Sequence, residues 1–193
     1  MTKQERKKER ILQTAIDVFS RDGFYGAKIT KIAELADVAA GSIYLYFANK
    51  EQILEEVLIR SWSKIENRLL ELTDNKDITN TEKITELTGF IAERVFENRN
   101  IATMILQEHQ FWSSAENPKL NDIVKSSTLL LKDIIISGMK TEEFRSTLIP
   151  SLAASYFIGG VWSLMEYWAE HAKDYTYEII CEQVGSFAIC SLK

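Results

Sequence analysis

Apolar positions recur three and four residues apart through most of the chain, the period of an α-helix with one buried face. Ile11, Ala15 and Phe19, with Leu12 and Ile16 beside them, predict a first helix over 4–21, closed at Gly23 by a left-handed cap. After the loop FYGAK, Thr30 is the expected N-cap of a short helix, TKIAELAD. Ile32, Ala33 and Ala36 form its buried face, and Asp37-Val38 is a tight turn. The segment AAGSIYLYF comes next. Its SIYLYF run is β-branched and aromatic and by composition suggests a strand. Gly41 and the turn before it, with an Asn49 cap after it, leave room only for a short helix. Asn49, three residues ahead of Gln52, opens a long helix over 50–72 with Leu54, Leu58, Ile65, Leu69 and Leu72 facing the core.

Five further helices follow from the same reasoning. Thr79 with Glu82 is a capping box opening a helix to Glu97, and another spans 101–112. Asn117-Pro118 opens a helix that Gly138 closes, Pro150 opens one to His171, and Asp174 caps the last, ending near Cys190. The expectation is an all-α protein of about nine helices, with a three-helix N-terminal unit over 1–49 and a larger helical bundle over 50–193. Composition agrees: 8 glycines and 2 prolines in 193 residues leave few breakers, which disfavours a turn-rich β protein.

Charge divides the chain further. The net charge of −5 argues against a nucleic-acid partner only if it is spread evenly. Residues 1–50 hold nine Lys/Arg and six Asp/Glu, so the N-terminal unit carries +3 and the rest −8. A local basic patch decides whether phosphates are attracted. Cys181 and Cys190 are the only cysteines, so no disulfide framework or zinc spacing exists. The charged start, MTKQERKKER, is no signal peptide. The uncharged run from Ser146 to Met165 carries five Ser/Thr, a proline and a Gly-Gly pair, and reads as a buried or interfacial helix, not a bilayer span. A cytoplasmic protein without a membrane partner is expected.

Two short helices joined by a tight turn after a longer helix form a helix-turn-helix unit, whose second short helix enters the DNA major groove. Gly41 permits close backbone approach, Ser42 offers a hydroxyl, and Tyr44 and Tyr46 can reach phosphates while Ile43 and Phe47 stay buried. Lys50 stands in the first turn of the next helix as a cation for phosphate. Lys28, Thr30 and Ala40 border these groups and complete the candidate DNA-binding set.

Residues 11–58 strongly resemble the DNA-binding domain of the TetR family of bacterial transcriptional regulators. The landmarks are Phe19, Gly23, Thr30, Ile32-Ala33, Ala36, Val38, Gly41, Ile43-Tyr44, Tyr46-Phe47 and Lys50. The resemblance implies a homodimer whose two heads bind a palindromic operator on double-stranded DNA and leave it when a small molecule binds the C-terminal domain. Two positions depart from the pattern. Asp37 stands where members commonly have glycine, and Ala40 where many carry lysine or another polar residue, which leaves the recognition helix few base-reading groups.

The acidic body holds no catalytic constellation, so neither enzyme activity nor a cofactor is expected. His109 and His171 are isolated. Its apolar and aromatic excess suits a ligand cavity between helices, with Phe90, Arg94, Met104, Glu108, Phe111, Trp112, Phe157 and Trp162 as candidates. For the dimer interface the candidates are Gly159, Gly160, Ile180, Val184 and Phe187 on the last two helices. A narrower resemblance, carried by GSIYLYFANKEQIL and YFIGGVWSLMEYWAEHAKDYTYE, is to the fatty-acid-degradation regulators of this family. It implies long-chain acyl-CoA as the small lipophilic effector, with Arg94 or Arg99 meeting its phosphates. A drug-like inducer of an efflux or detoxification repressor is the alternative.

Overall fold

The computed structural model describes residues 2–97, 117–171 and 173–193, and among them holds eight α-helices and no strand. The helix expected over 101–112 lies outside the described residues. α1 (Lys3–Asp22) starts at a capping box in which the Thr2 hydroxyl accepts from the Glu5 N–H at 3.1 Å. The Glu5 carboxylate accepts from the Thr2 N–H at 2.7 Å in return. Gly23 ends it at φ 69° and ψ 157°, an extended positive-φ region open to glycine alone, not the left-handed helical one anticipated. α2 (Ile29–Leu35) begins one residue before Thr30, so the cap position falls on Lys28, without a side-chain bond. Thr30 is therefore an exposed residue of the first turn, not the N-cap. α3 covers Ala40–Ile43.

α4 (Lys50–Asp74) is the longest helix, 25 residues and about 37 Å at 1.5 Å per residue. The Asn49 side chain accepts from the Gln52 N–H at 2.9 Å, and the Gln52 carboxamide accepts from the Ala48 N–H at 2.6 Å. α5 (Asn80–Glu97) opens at the expected box, Thr79 Oγ1 accepting from the Glu82 N–H at 3.1 Å and Glu82 Oε2 from the Thr79 N–H at 2.7 Å. α6 (Pro118–Lys140) has Asn117 as its cap, accepting from the Leu120 N–H at 3.1 Å. Gly138 does not close it. That glycine is buried inside the helix, where a Cβ would come within 2.2 Å of the Phe144 ring. α7 (Pro150–His171) and α8 (Tyr177–Cys190) follow. α8 is capped by Thr176, whose hydroxyl faces the Ile179 N–H at 3.5 Å, whereas Asp174 turns back to the His171 carbonyl at 2.9 Å and caps nothing.

Two buried clusters hold these helices. The first joins α1, α2 and α3 to the first half of α4, from Ile53 to Trp62. It also takes in Leu120 from α6, with Ile123, Val124 and Trp162 half-buried against it. The second gathers Leu69 and Leu72 of α4 with α5, α6, α7 and α8 around Leu131, Ile135, Phe157 and Met165. α4 thus belongs to both cores, and the first core runs past residue 49 into the C-terminal segment.

The connector after α6 ties down α5. Glu142 at φ 60° turns the chain so that Glu143 reaches the start of α5. There its carboxylate accepts from the Thr81 N–H at 2.8 Å and from the Asn80 N–H at 3.1 Å and side chain at 2.8 Å. The Thr141 hydroxyl donates a fourth bond at 2.8 Å. Burial pushes the Glu143 carboxyl up, but these four hydrogen bonds and the N-terminal end of the helix outweigh it and hold the pKa at about 2, against an ordinary 4.5. A folded pKa below the unfolded one gives stability that is full above the unfolded value and lost as pH falls through the folded value. Glu143→Gln should therefore be less stable than wild type at pH 7. The gap should close as pH falls from about 4.5 to about 2, measured by chemical denaturation across that range.

Candidate nucleic-acid interface

The geometry of the N-terminal unit follows from how α2 stops. Ala36 is the last half-helical residue, and Asp37 adopts φ 50°, the left-handed conformation that Asp and Asn tolerate better than other non-glycine residues. The Val38 N–H then reaches the Ala33 carbonyl at 3.0 Å and the Asp37 N–H reaches the Glu34 carbonyl at 3.2 Å. These are the two bonds of a Schellman C-cap. From α1, Arg10 Nη2 donates to the Asp37 carbonyl at 3.1 Å and holds the turn against the longer helix. The sequence predicted the turn; it did not predict the Arg10 tether.

α3 leaves this turn. The Ser42 N–H bonds the Ala39 carbonyl at 2.8 Å, and a final turn carries the Phe47 N–H onto the Ile43 carbonyl at 3.0 Å. Ile43 and Phe47, four residues apart, are both buried in the first core as expected. Between them Tyr44 and Leu45 point to solvent, 57% and 80% exposed. Tyr46 is half-buried against the core. Gly41 is exposed, and a Cβ there would meet nothing within 4 Å, so no internal packing demands glycine. Ala40 and Ser42 are half-buried, while Lys28 and Thr30 are exposed beside them.

Lys50 is placed differently from a free surface cation. Its ammonium donates to the carbonyls of Phe24 at 2.9 Å and Tyr25 at 3.1 Å, and lies 4.7 Å from the centre of the Phe24 ring. It ties the α1–α2 loop to the start of α4. An ammonium has three donors, so this tether uses two of them. On the other flank Lys8 and Arg60 pair with Glu56 at 3.2 and 3.1 Å, and Arg60 also pairs with Glu9, which fastens α1 to α4. Burial raises the Glu56 pKa, but the two cations outweigh it and leave it below its ordinary value.

In the body, the sequence-derived sites divide. Phe157 is packed in the second core, and Trp162 stacks on Trp62 with centroids 6.2 Å apart. Arg94 lies over the Phe90 ring at 5.1 Å and pairs with Glu93 at 2.9 Å. Met104, Glu108, Phe111 and Trp112, with Arg99 and His109, lie outside the described residues. A cavity of about 500 Å³ opens instead between the ends of α5 and α7 and the α7–α8 connector, lined by Phe96, Trp168, Tyr175 and Tyr177 among others. Its aromatics were legible as apolar residues, but nothing local marked them as cavity wall.

Of the interface candidates, Val184 is buried within the chain at 1% exposure. The physical reason is that α8 packs its Val184 and Ala188 side into the second core. Phe187 and Gly159 are exposed, and Gly160 and Ile180 are half-buried. On α7, Leu152, Tyr156, Gly159 and Tyr167 form an exposed stripe at helical spacing. Among the described residues no helix is long and apolar enough to cross a membrane, and no group of three His, Cys, Asp or Glu is placed to hold a metal.

A short helix pair with a Schellman turn, carried on a longer helix and fused to a larger helical body, is a helix-turn-helix unit of the kind that enters the DNA major groove. Residues 11–57 match the family model described as bacterial regulatory proteins, tetR family. The fatty acid metabolism regulator protein of Bacillus subtilis is 28% identical over 174 residues, 90% of this chain and 89% of that protein. The repressor NicS of Pseudomonas putida is 29% identical over 150 residues, 75% of this chain and 68% of that one. Among solved structures, a transcriptional regulator FadR from Bacillus subtilis in complex with stearoyl-CoA superposes with a TM-score of 0.81 at 25% identity, covering 96% of this chain and 99% of that one.

The turn geometry makes a directional prediction. Asp37→Val puts a β-branched side chain at positive φ and should lower unfolding stability by about 1–2 kcal/mol. Asp37→Gly should leave it unchanged or raise it. Thermal melts of the two variants beside wild type read the opposite signs.

Proposed function

We propose that the chain is a ligand-responsive transcriptional repressor that acts as a homodimer on a palindromic operator in the cytoplasm, with no enzymatic activity. The observation that carries this is the continuity of the first core from the helix-turn-helix into the body, through Trp62, Trp162 and Leu120. A head held this way changes position when the packing of the body changes. An effector that prefers one body packing then shifts operator affinity by linkage.

In this reading residues 1–49 are the DNA-binding head and 50–193 the ligand-binding and dimerisation body. Lys28, Thr30, Ala40, Gly41, Ser42, Tyr44, Tyr46 and Lys50 face the operator. Lys50 positions the α1–α2 loop with two donors and offers the third to a phosphate. The exposed stripe of α7, with Phe187 of α8, meets the same surface of a second copy across a two-fold axis, matching operator symmetry. Gly159 and Gly160 have nothing within 4 Å of an added Cβ in the single chain, and they leave room for the partner's helices.

For the effector we favour a long-chain acyl-CoA. The support is the similarity over nine-tenths of the chain to a fatty acid metabolism regulator, and the stearoyl-CoA held by a structure of the same fold. The body supplies aromatic and aliphatic surface for an acyl chain, with Arg94 near the end of α5 as a cation for phosphate. A drug-like inducer is the competing reading.

The operator can be selected from a random duplex library with the full-length chain and its complex titrated with stearoyl-CoA. Operator affinity should fall by about tenfold or more at micromolar stearoyl-CoA, within the range of ordinary allosteric coupling, and should not respond to acetyl-CoA. A complex untouched by stearoyl-CoA but released by lipophilic cations would contradict the acyl-CoA assignment and favour the drug-like inducer.

A further inference from the structure

The recognition segment lacks the residues that ordinarily read bases. Between Ala39 and Phe47 there is no Arg, Lys, Asn, Gln, Asp or Glu. Those six side chains supply the paired contacts to guanine, adenine and cytosine edges in the major groove. The nearest carboxamide, Asn49, is occupied as the α4 cap. What the segment does offer is an exposed glycine, the exposed Tyr44 and Leu45, and the half-buried hydroxyl residues Ser42 and Tyr46. A single hydroxyl serves either donor or acceptor and discriminates weakly.

Leu45 is the most exposed large apolar residue among those described, at 80%. An isolated surface leucine needs no explanation elsewhere. Here it sits two residues after Ile43 and two before Phe47, whose burial turns it away from the core, in the turn that directly follows α3, the short helix that a helix-turn-helix presents to the groove. Tyr25 and Tyr44 are also strongly exposed on this unit, so its outward surface is apolar and aromatic inside a positively charged head. The major groove offers one apolar feature on its floor, the C5-methyl of thymine.

We infer that Leu45 reads the C5-methyl group of a thymine in each operator half-site, so that sequence preference at that position comes from apolar contact and not from hydrogen bonding. The inference rests on the regulator reading given above. It also accounts for Gly41: with no side chain there, the backbone can come close enough for a short leucine to reach the base edge.

The test is a two-way cycle on the selected operator with the full-length chain. Each thymine is replaced in turn, symmetrically in both half-sites, by deoxyuridine, which removes only the methyl. Wild type should lose about threefold per methyl, or about tenfold for the symmetric pair, at one thymine position. Leu45→Ala should bind the unmodified operator about tenfold more weakly and lose nothing further at that same position. Its melting curve should overlay the wild-type one, since the side chain packs on nothing internal. Leu45→Val, keeping part of the contact, should fall between. Equal losses on deoxyuridine in wild type and Leu45→Ala, or wild-type affinity in Leu45→Ala, would overturn the assignment while leaving the regulator reading intact. A wild-type chain that enriches no sequence from the library would overturn both.

Discussion

One helix holds the molecule's two halves in register. α4 spends its first half in the core of the helix-turn-helix and its last turns in the core of the body, without a proline, a glycine or a break. A 25-residue helix packed at both ends is a lever whose tilt both cores must agree on. Leu120 and the Trp62–Trp162 stack extend the first core into α6 and α7, so the head rests on the body through side chains that close packing does not let slide. Small changes in the body therefore have only a few ways to be absorbed, and moving the head is one of them.

The polar interactions serve that arrangement. Arg10 pins the Asp37 turn to α1, Lys50 pins the α1–α2 loop to α4, and the Lys8–Glu56–Arg60–Glu9 set pins α1 to α4. Each is a modest interaction at a partly exposed site. Together they fix the orientation of α3 relative to α4, which is what a reading head needs. Glu143 plays the same part in the body by holding the start of α5 to the α6–α7 connector.

Much of this was legible in the sequence where the physics is local. Thr79 with Glu82, Asn49 with Gln52 and Asn117 with Pro118 mark helix starts because the capping bond closes within three residues. The Asp37 turn was legible because few residue types accept positive φ. The misreadings occur where distant packing decides. Gly138 looked like a stop but makes room for the Phe144 ring. Thr30 and Asp174 are both able to cap, yet burial of Ile32 and the local turn put the caps at Lys28 and Thr176. Leu120 could not be assigned to the head at all, since at least 58 residues separate it from the other buried residues of that core. Leu45 was hidden by its neighbours, because in a run of aromatics and aliphatics only coordinates tell the outward residue from the inward ones.

In the proposed mechanism the body biases the head through the shared core. Leu120→Ala removes a fully buried side chain of that core while leaving every residue of the helix-turn-helix and of the Phe96–Trp168 cavity in place. The decisive quantity is the factor by which saturating stearoyl-CoA weakens operator binding, compared between wild type and Leu120→Ala at a temperature where both are folded. This factor should fall at least several-fold in the variant while its affinity for stearoyl-CoA in the absence of DNA stays close to wild type. An unchanged factor in a variant that has lost the stability expected of a buried Leu→Ala change, about 2–5 kcal/mol, would contradict it.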